Sequence, residues 1–161
     1  MGCCVTNNIF NFDNIRYYTL EVSDKYKVIA NDIVLCTRDI TQTRNQLGLP
    51  AIIPSFCKEK IICGTNLYKV ENLQIVSNNY LYLIFNSETF RKHMLEQATG
   101  STILMLTKES VLDYYAIVPE IDNFEKINSD IDSIFEKINL LLHNNLKLQE
   151  LKEIYMKKFF D

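Results

Sequence analysis

The amino-acid sequence predicts an α+β protein: a body built on a mixed, strongly twisted β-sheet with short helices, followed by one long C-terminal coiled-coil helix. Three observations carry that expectation. Between residues 15 and 70, β-branched and aromatic residues gather in short runs bounded by Asn, Asp, Gly and Pro, the punctuation of strands and turns. From Ile121 to Phe159, apolar residues return at heptad spacing, which lays a continuous seam along one side of a helix. Pro119 stands between the two patterns, and a proline there divides a body at 1–119 from a helix at 120–161.

Taken in order, Tyr17 to Val22 alternates, and Lys27-Val28-Ile29-Ala30 runs into a turn at Asn31-Asp32. Ile33-Val34-Leu35-Cys36 has the unbroken apolar character of a strand buried on both faces. Thr37 to Asn45 is polar without an apolar period and reads as an exposed loop, closed by Gly48 and Pro50. Ala51-Ile52-Ile53 and Lys60-Ile61-Ile62-Cys63 look like two strands paired around the Pro54–Lys58 connection, and Leu67–Val70 is a further strand. Asn79–Phe85 suits a strand or a helical face equally. Ser87 is placed to cap a helix running to Gln97, with Phe90, Met94 and Leu95 as its apolar stripe. Ala98 to Thr102 breaks that helix, Ile103–Leu106 is apolar, Thr107–Val111 begins a short turn, and Tyr115–Val118 reads as a last strand.

In the long helix, Phe124, Ile131 and Ile138 occupy one heptad position, and Ile127, Ile134, Leu141, Leu148 and Tyr155 the position three residues later. At 1.5 Å per residue such a helix is roughly 50 Å long or more. One small body cannot cover that length, so the seam is expected to pack on a second helix, giving a dimer. Asn145 falls on a core position, where an asparagine commonly fixes register. Lys152, seven residues on, is expected to face solvent.

Composition narrows the function classes. The chain has 161 residues, 47 % hydrophobic, with only four glycines and three prolines, as in a folded domain. No apolar run approaches the roughly 18 residues that span a bilayer, and no secretory leader opens the chain, so the cytoplasm is the expected compartment. Met1-Gly2-Cys3-Cys4 fits the loose N-acylation pattern, but the ordinary reading is a start residue ahead of a strand. The five cysteines follow no framework. Cys57 and Cys63 with His93 lack Cys-x-x-Cys spacing, so free thiols and no metal are expected. Phosphate loops, nucleophile elbows and HExxH motifs are absent from the sequence. His93 and His143 have no evident orienting partner. No catalytic residue and no cofactor is expected.

The net charge of −3 is unevenly spread. Residues 120–161 hold nine acidic and six basic side chains, whereas residues 32–108 hold eight basic and six acidic ones. The acidity belongs to the helix, and the body is mildly basic.

Taken together, several segments resemble one half of the DNA-specificity subunit of type I restriction-modification systems. Asn31-Asp32-Ile33-Val34-Leu35-Cys36-Thr37-Arg38 looks like the family's G-D-I-L strand and loop, without the glycine. Tyr80 to Phe90 is similar to its Y-L-x-x-x-L-x-S-x-x-F segment, and Ala98-Thr99-Gly100-Ser101-Thr102 matches A-T-G-S-T. Leu106–Lys108, Ile117-Val118-Pro119 and the tail from Leu148 to Phe160 resemble the pieces that follow. The family's P-P-L-x-E-Q is replaced here by Pro119 to Phe124, and the stretch before Tyr18 is short for a complete target-recognition domain.

The resemblance implies a non-catalytic reader of one half of a bipartite site on double-stranded DNA. Its long helix would be spacer and ruler, and methyltransferase (M) and restriction (R) subunits would be the partners. A half-subunit would homodimerise to supply the second half-site. The residue types agree: Arg38, Gln42, Thr43, Arg44 and Asn45 can address base edges. Lys58, Lys60, Ser101, Thr102 and Lys108 can hold phosphates. Phe124, Ile127, Ile131, Ile134, Ile138, Leu141, Asn145 and Leu148 are the expected dimer contacts. A coiled-coil interaction protein that touches no nucleic acid is the competing expectation, and an acylated adaptor a third.

Overall fold

A computed structural model describes residues 5–6, 9–12, 19, 21–39, 43–57, 61–72, 76–118 and 121–160. The acylation-like opening, the 15–18 part of the first expected strand region, Gln42, Lys58, Lys60 and Pro119 lie outside them. The α+β class with a long terminal helix is what the chain adopts.

Among the described residues the strands divide among four small antiparallel sheets. β4 (Ile33–Cys36) is the central strand of the largest, between β6 (Pro50–Ile52) and β8 (Leu67–Val70). Its four residues are all buried, because side chains alternate across the sheet and both faces are covered. Ile33 and Leu35 point to a core containing Leu47, Phe85, Phe90, Met94, Leu104 and Leu106, while Val34 joins Val5, Phe10, Val28, Ala51, Ile53 and Cys63. Pro50 sits on an edge strand, where a missing N–H is tolerated. The Asn31 turn before β4 has φ 70°. It is tied by Asp32, whose carboxylate accepts from the Ile29 amide at 2.9 Å and pairs with Lys69 at 2.8 Å.

The expected pairing of 51–53 with 60–63 is not what forms. β6 adds to β4, with Ile33 opposite Ile52, whereas β7 (Ile61–Ile62) pairs with β3 (Lys27–Val28). A hairpin requires its two strands to face each other, and here the central strand offers β6 a better-buried partner. β1 (Val5–Thr6) and β2 (Ile9–Phe10) form a hairpin that packs on β6.

The ambiguous Asn79–Phe85 stretch is helical. α1 (Asn78–Phe85) starts at Ser77, whose Oγ accepts from the Tyr80 amide at 3.2 Å, and α2 (Glu88–Glu96) starts at Ser87 in the same way, accepting from Phe90. Phe90 and Met94 of α2 are fully buried. β9 (Leu104–Met105) and α3 (Lys108–Leu112) follow, and Thr107 caps α3 through the Ser110 amide. The last expected strand does not form: residues 114–118 belong to no ladder, and Tyr115 and Ile117 are 92 % and 96 % exposed. α4 (Ile121–Phe160) then runs unbroken for 40 residues, roughly 60 Å.

Candidate nucleic-acid interface

The residues assigned to DNA contact from two distant parts of the sequence meet on one small sheet. β5 (Arg38–Asp39) pairs with β9, setting Arg38 opposite Met105 and Asp39 opposite Leu104. This corrects the reading of 37–45 as wholly an exposed loop: Thr37 and Asp39 are buried, and the Thr37 carbonyl accepts from the Leu106 amide at 2.9 Å. On the other side of β9, Thr99 and Met105 exchange backbone hydrogen bonds of 3.0 and 2.8 Å, closing a tight loop. Gly100 sits in it at φ 105°, and a Cβ there would strike the Ile103 carbonyl oxygen. Only glycine fits. Ser101 and Thr102 are thereby carried to an exposed tip. The A-T-G-S-T element is a backbone requirement first, with its hydroxyls displayed as a consequence.

Across the β5–β6 connection, Thr43, Arg44 and Asn45 are exposed, whereas Leu47 is fully buried and anchors the return. The buried Asp39 carboxylate accepts from the Gln46 amide at 3.1 Å, and the Gly48 amide donates to the Cys36 carbonyl at 2.7 Å. Arg44 itself has φ 59°, a left-handed conformation uncommon for a residue with a side chain. Its carbonyl accepts a hydrogen bond from Arg91 Nη2 of α2. Burial pulls the Arg91 guanidinium below its ordinary pKa, an effect opposed by nearby Asp39 and Cys36. Arg38 and Lys108 are exposed, Lys108 at the first residue of α3, two positions beyond the Leu106 that bonds Thr37. The ladder therefore carries Arg38, with Ser101 and Thr102 on the loop entering β9 and Lys108 just beyond its far end, while Thr43, Arg44 and Asn45 are exposed on the turn tied down by Asp39 and Arg91.

The long helix has two distinct faces. Toward its own body it turns Phe124, Asn128, Asp132, Phe135, Asn139 and His143, at spacings of three and four. Phe124 meets Tyr80 edge-on at 5.1 Å between ring centroids, and Phe135 meets Tyr82 at 5.4 Å. Asp132 accepts from Ser77 Oγ at 3.1 Å and Asn79 Nδ2 at 2.8 Å, and Ser77 also donates to Asn128 at 2.7 Å. Asn139 Oδ1 accepts from the Ser55 amide at 3.1 Å, and His143 lies 4.8 Å from the Phe56 ring. Phe124, expected in an intermolecular seam, is thus engaged by its own α1, and Ile131 is half-buried. Ile127, Ile134, Ile138, Leu141, Asn145 and Leu148 are exposed, Leu141 by 61 %. At about 100° per residue this second face lies roughly a third of a turn from the first. Lys152 is exposed, as are Leu151, Ile154, Tyr155, Met156, Phe159 and Phe160.

Two features escaped the sequence. Arg91 gave no signal beyond its charge. The Asn128–Asp132–Asn139 stripe was visible as a helical period of polar residues, but the adjacent apolar period overshadowed it. A polar cleft of about 770 Å³ lies along this joint, lined by amides, Ser77, Asp132 and Glu136. With carboxylates and no cation in its lining it disfavours phosphate. Among the described residues no group of three or more His, Cys, Asp and Glu side chains could hold a metal ion. His93 is half-buried, with Nε2 3.0 Å from the Ser110 carbonyl and its ring 5.4 Å from Tyr114, so it joins α2 to α3. No described helix is long and apolar enough to cross a membrane. No protein-family model matches the chain, and no curated protein sequence matches it significantly.

Proposed function

We propose that this chain is a non-catalytic, cytoplasmic DNA-specificity half-subunit of the type I restriction-modification kind, reading one half of a bipartite site for M and R partner subunits. The observation that carries the reading is the convergence at the β5–β9 ladder. Arg38 on β5 and the exposed Ser101 and Thr102 beside β9, some sixty residues apart in sequence and suited to nucleic acid by residue type, flank one ladder, and the exposed Thr43, Arg44 and Asn45 follow β5 in the chain, together the proposed rim. Arginine and asparagine side chains offer bidentate hydrogen bonds to guanine and adenine edges, and exposed hydroxyls and Lys108 offer phosphate contacts.

The exposed face of α4 supports a second copy as the other half-reader. The chain exposes 11740 Å², against roughly 8300 Å² for a compact monomer of 18.8 kDa. The excess is several times the ~800 Å² per partner that a stable interface needs. Charge favours an antiparallel pair. Residues 121–140 carry five acidic and two basic side chains, and residues 141–160 carry four basic and two acidic ones. Head-to-tail pairing sets the acidic half of each helix beside the basic half of its twin.

Selection from a randomised duplex library, followed by titration over a range of salt, tests the reading. The parent should prefer one site with a steep salt slope. Arg44→Ala should weaken that site by about 1–3 kcal/mol while leaving the thermal midpoint in place. A chain that dimerises yet binds no duplex is a coiled-coil interaction module instead, the reading that the exposed helix face alone would support.

A further inference from the structure

We infer that Arg91 is a positioning residue: from α2 it clamps the Arg44 turn and so fixes how the rim addresses DNA. The inference rests on the DNA reading above for its purpose, but on geometry for its existence. Arg44 occupies the left-handed region at φ 59°, a conformation that costs a residue with a Cβ about 1 kcal/mol or more and persists only where surroundings enforce it. Two side chains supply the enforcement. Arg91 Nη2 donates to the Arg44 carbonyl, and Asp39, fully buried, accepts from the Gln46 amide at 3.1 Å. The turn is therefore held on both sides of Asn45, by the half-buried Arg91 and the fully buried Asp39.

Arg91 is also under-used where it sits. Its Nη1 is buried and makes no hydrogen bond. A buried donor left unmade costs of order 1–3 kcal/mol, so a stability-driven choice at this position would be an apolar side chain of similar length. The neighbouring stem environment suits one: Phe85, Leu49, Pro50 and Leu95 line a cavity of about 360 Å³ alongside Arg91. What the guanidinium does supply, and methionine would not, is the bond to the Arg44 carbonyl. That bond connects the rim to the helix whose Phe90 and Met94 are fully buried, and rigid support of this kind is what gives a base-reading side chain a defined register.

The test uses the full chain with Arg91→Met, Arg91→Lys, Arg44→Ala and the Arg91→Met/Arg44→Ala double variant. Two readouts are taken: preference for the selected duplex over a scrambled one, and trypsin cleavage of the Arg44–Asn45 bond relative to other sites. The clamp predicts that Arg91→Met keeps its circular dichroism and the salt slope on scrambled DNA. It should lose about tenfold in preference, the cost of one good base contact, and cleave several-fold faster after Arg44. Added to Arg44→Ala, it should cost nothing further in preference, since the two act as one unit. Should Arg91→Met fail to fold, Arg91→Lys, which keeps stem and charge but not the planar fork, carries the same criteria. Unchanged cleavage after Arg44 overturns the clamp whatever the DNA results. Faster cleavage in a parent that prefers no duplex retains the clamp and overturns the DNA reading instead. Additive losses in the double variant would reduce Arg91 to a separate contact and overturn the inference as stated.

Discussion

The two faces of α4 differ in a way opposite to ordinary helix packing. The face against its own body mixes ring contacts of Phe124, Phe135 and His143 with hydrogen bonds that Asn128, Asp132 and Asn139 accept from Ser77, Asn79 and Ser55. The face turned to solvent is the greasy one, with Ile127, Ile134, Ile138, Leu141 and Leu148 uncovered. A helix stabilised mainly by its own fold would do the reverse, because apolar burial is the larger favourable contribution. The lesson is that the body covers only one stripe of this helix and leaves an apolar stripe uncovered. The last half-buried side chain is Leu146, and from Lys147 to Phe160 every described side chain is exposed. There Leu151, Ile154, Tyr155, Met156 and Phe159 cover an arc of about 200°, wider than the stripe that precedes them.

The comparison is broken most forcefully at Ile138. Ile138→Lys should leave the monomer's stability within about 0.5 kcal/mol, since the residue is already exposed. Self-association measured by sedimentation should weaken about a hundredfold or more, because pairing would bury an unpaired ammonium. Equal association of variant and parent would show that the apolar face is not where copies meet. Asp132→Ala probes the other face and should give the converse signature. Two donors, Ser77 Oγ and Asn79 Nδ2, lose their shared acceptor. Unfolding by denaturant should then report a loss of about 1–2 kcal/mol, with sedimentation unaltered. A stable variant would mean the polar joint does not hold the helix.

The smallest effect concerns pH. Burial beside Phe135 holds the Tyr82 hydroxyl above its ordinary value of 10.0. The folded protein therefore keeps this proton to higher pH than the unfolded chain does. The contribution is intact below about pH 10 and is lost as pH rises through the folded value. Tyr82→Phe should flatten the alkaline limb of stability, and an unchanged limb would place the sensitivity elsewhere.

Much of the secondary structure was legible because its signals are local. Ser87 three residues before Phe90 is a cap, the heptad run is a long helix, and Ile33–Cys36 is an apolar buried strand. The failures were all matters of partnership. Nothing local in Ala51–Ile53 says that it joins β4 instead of β7, or in Tyr115–Val118 that an apolar extended run goes unpaired. The rim was half legible: residue types nominated Arg38, Arg44 and Ser101 separately, while the pairing of Arg38 with Met105 was needed to bring them together.

By itself, then, the sequence determined the α+β class, the Ser87 cap, the helix break at 98–102 and the long terminal helix, since each depends on neighbours within a few residues. Tertiary structure decided which strands pair, which stripe of α4 meets the body, and that Arg91 reaches the Arg44 carbonyl across 47 positions. Those choices follow from which surfaces exclude water together once the chain has collapsed, a competition among distant segments that no local pattern encodes.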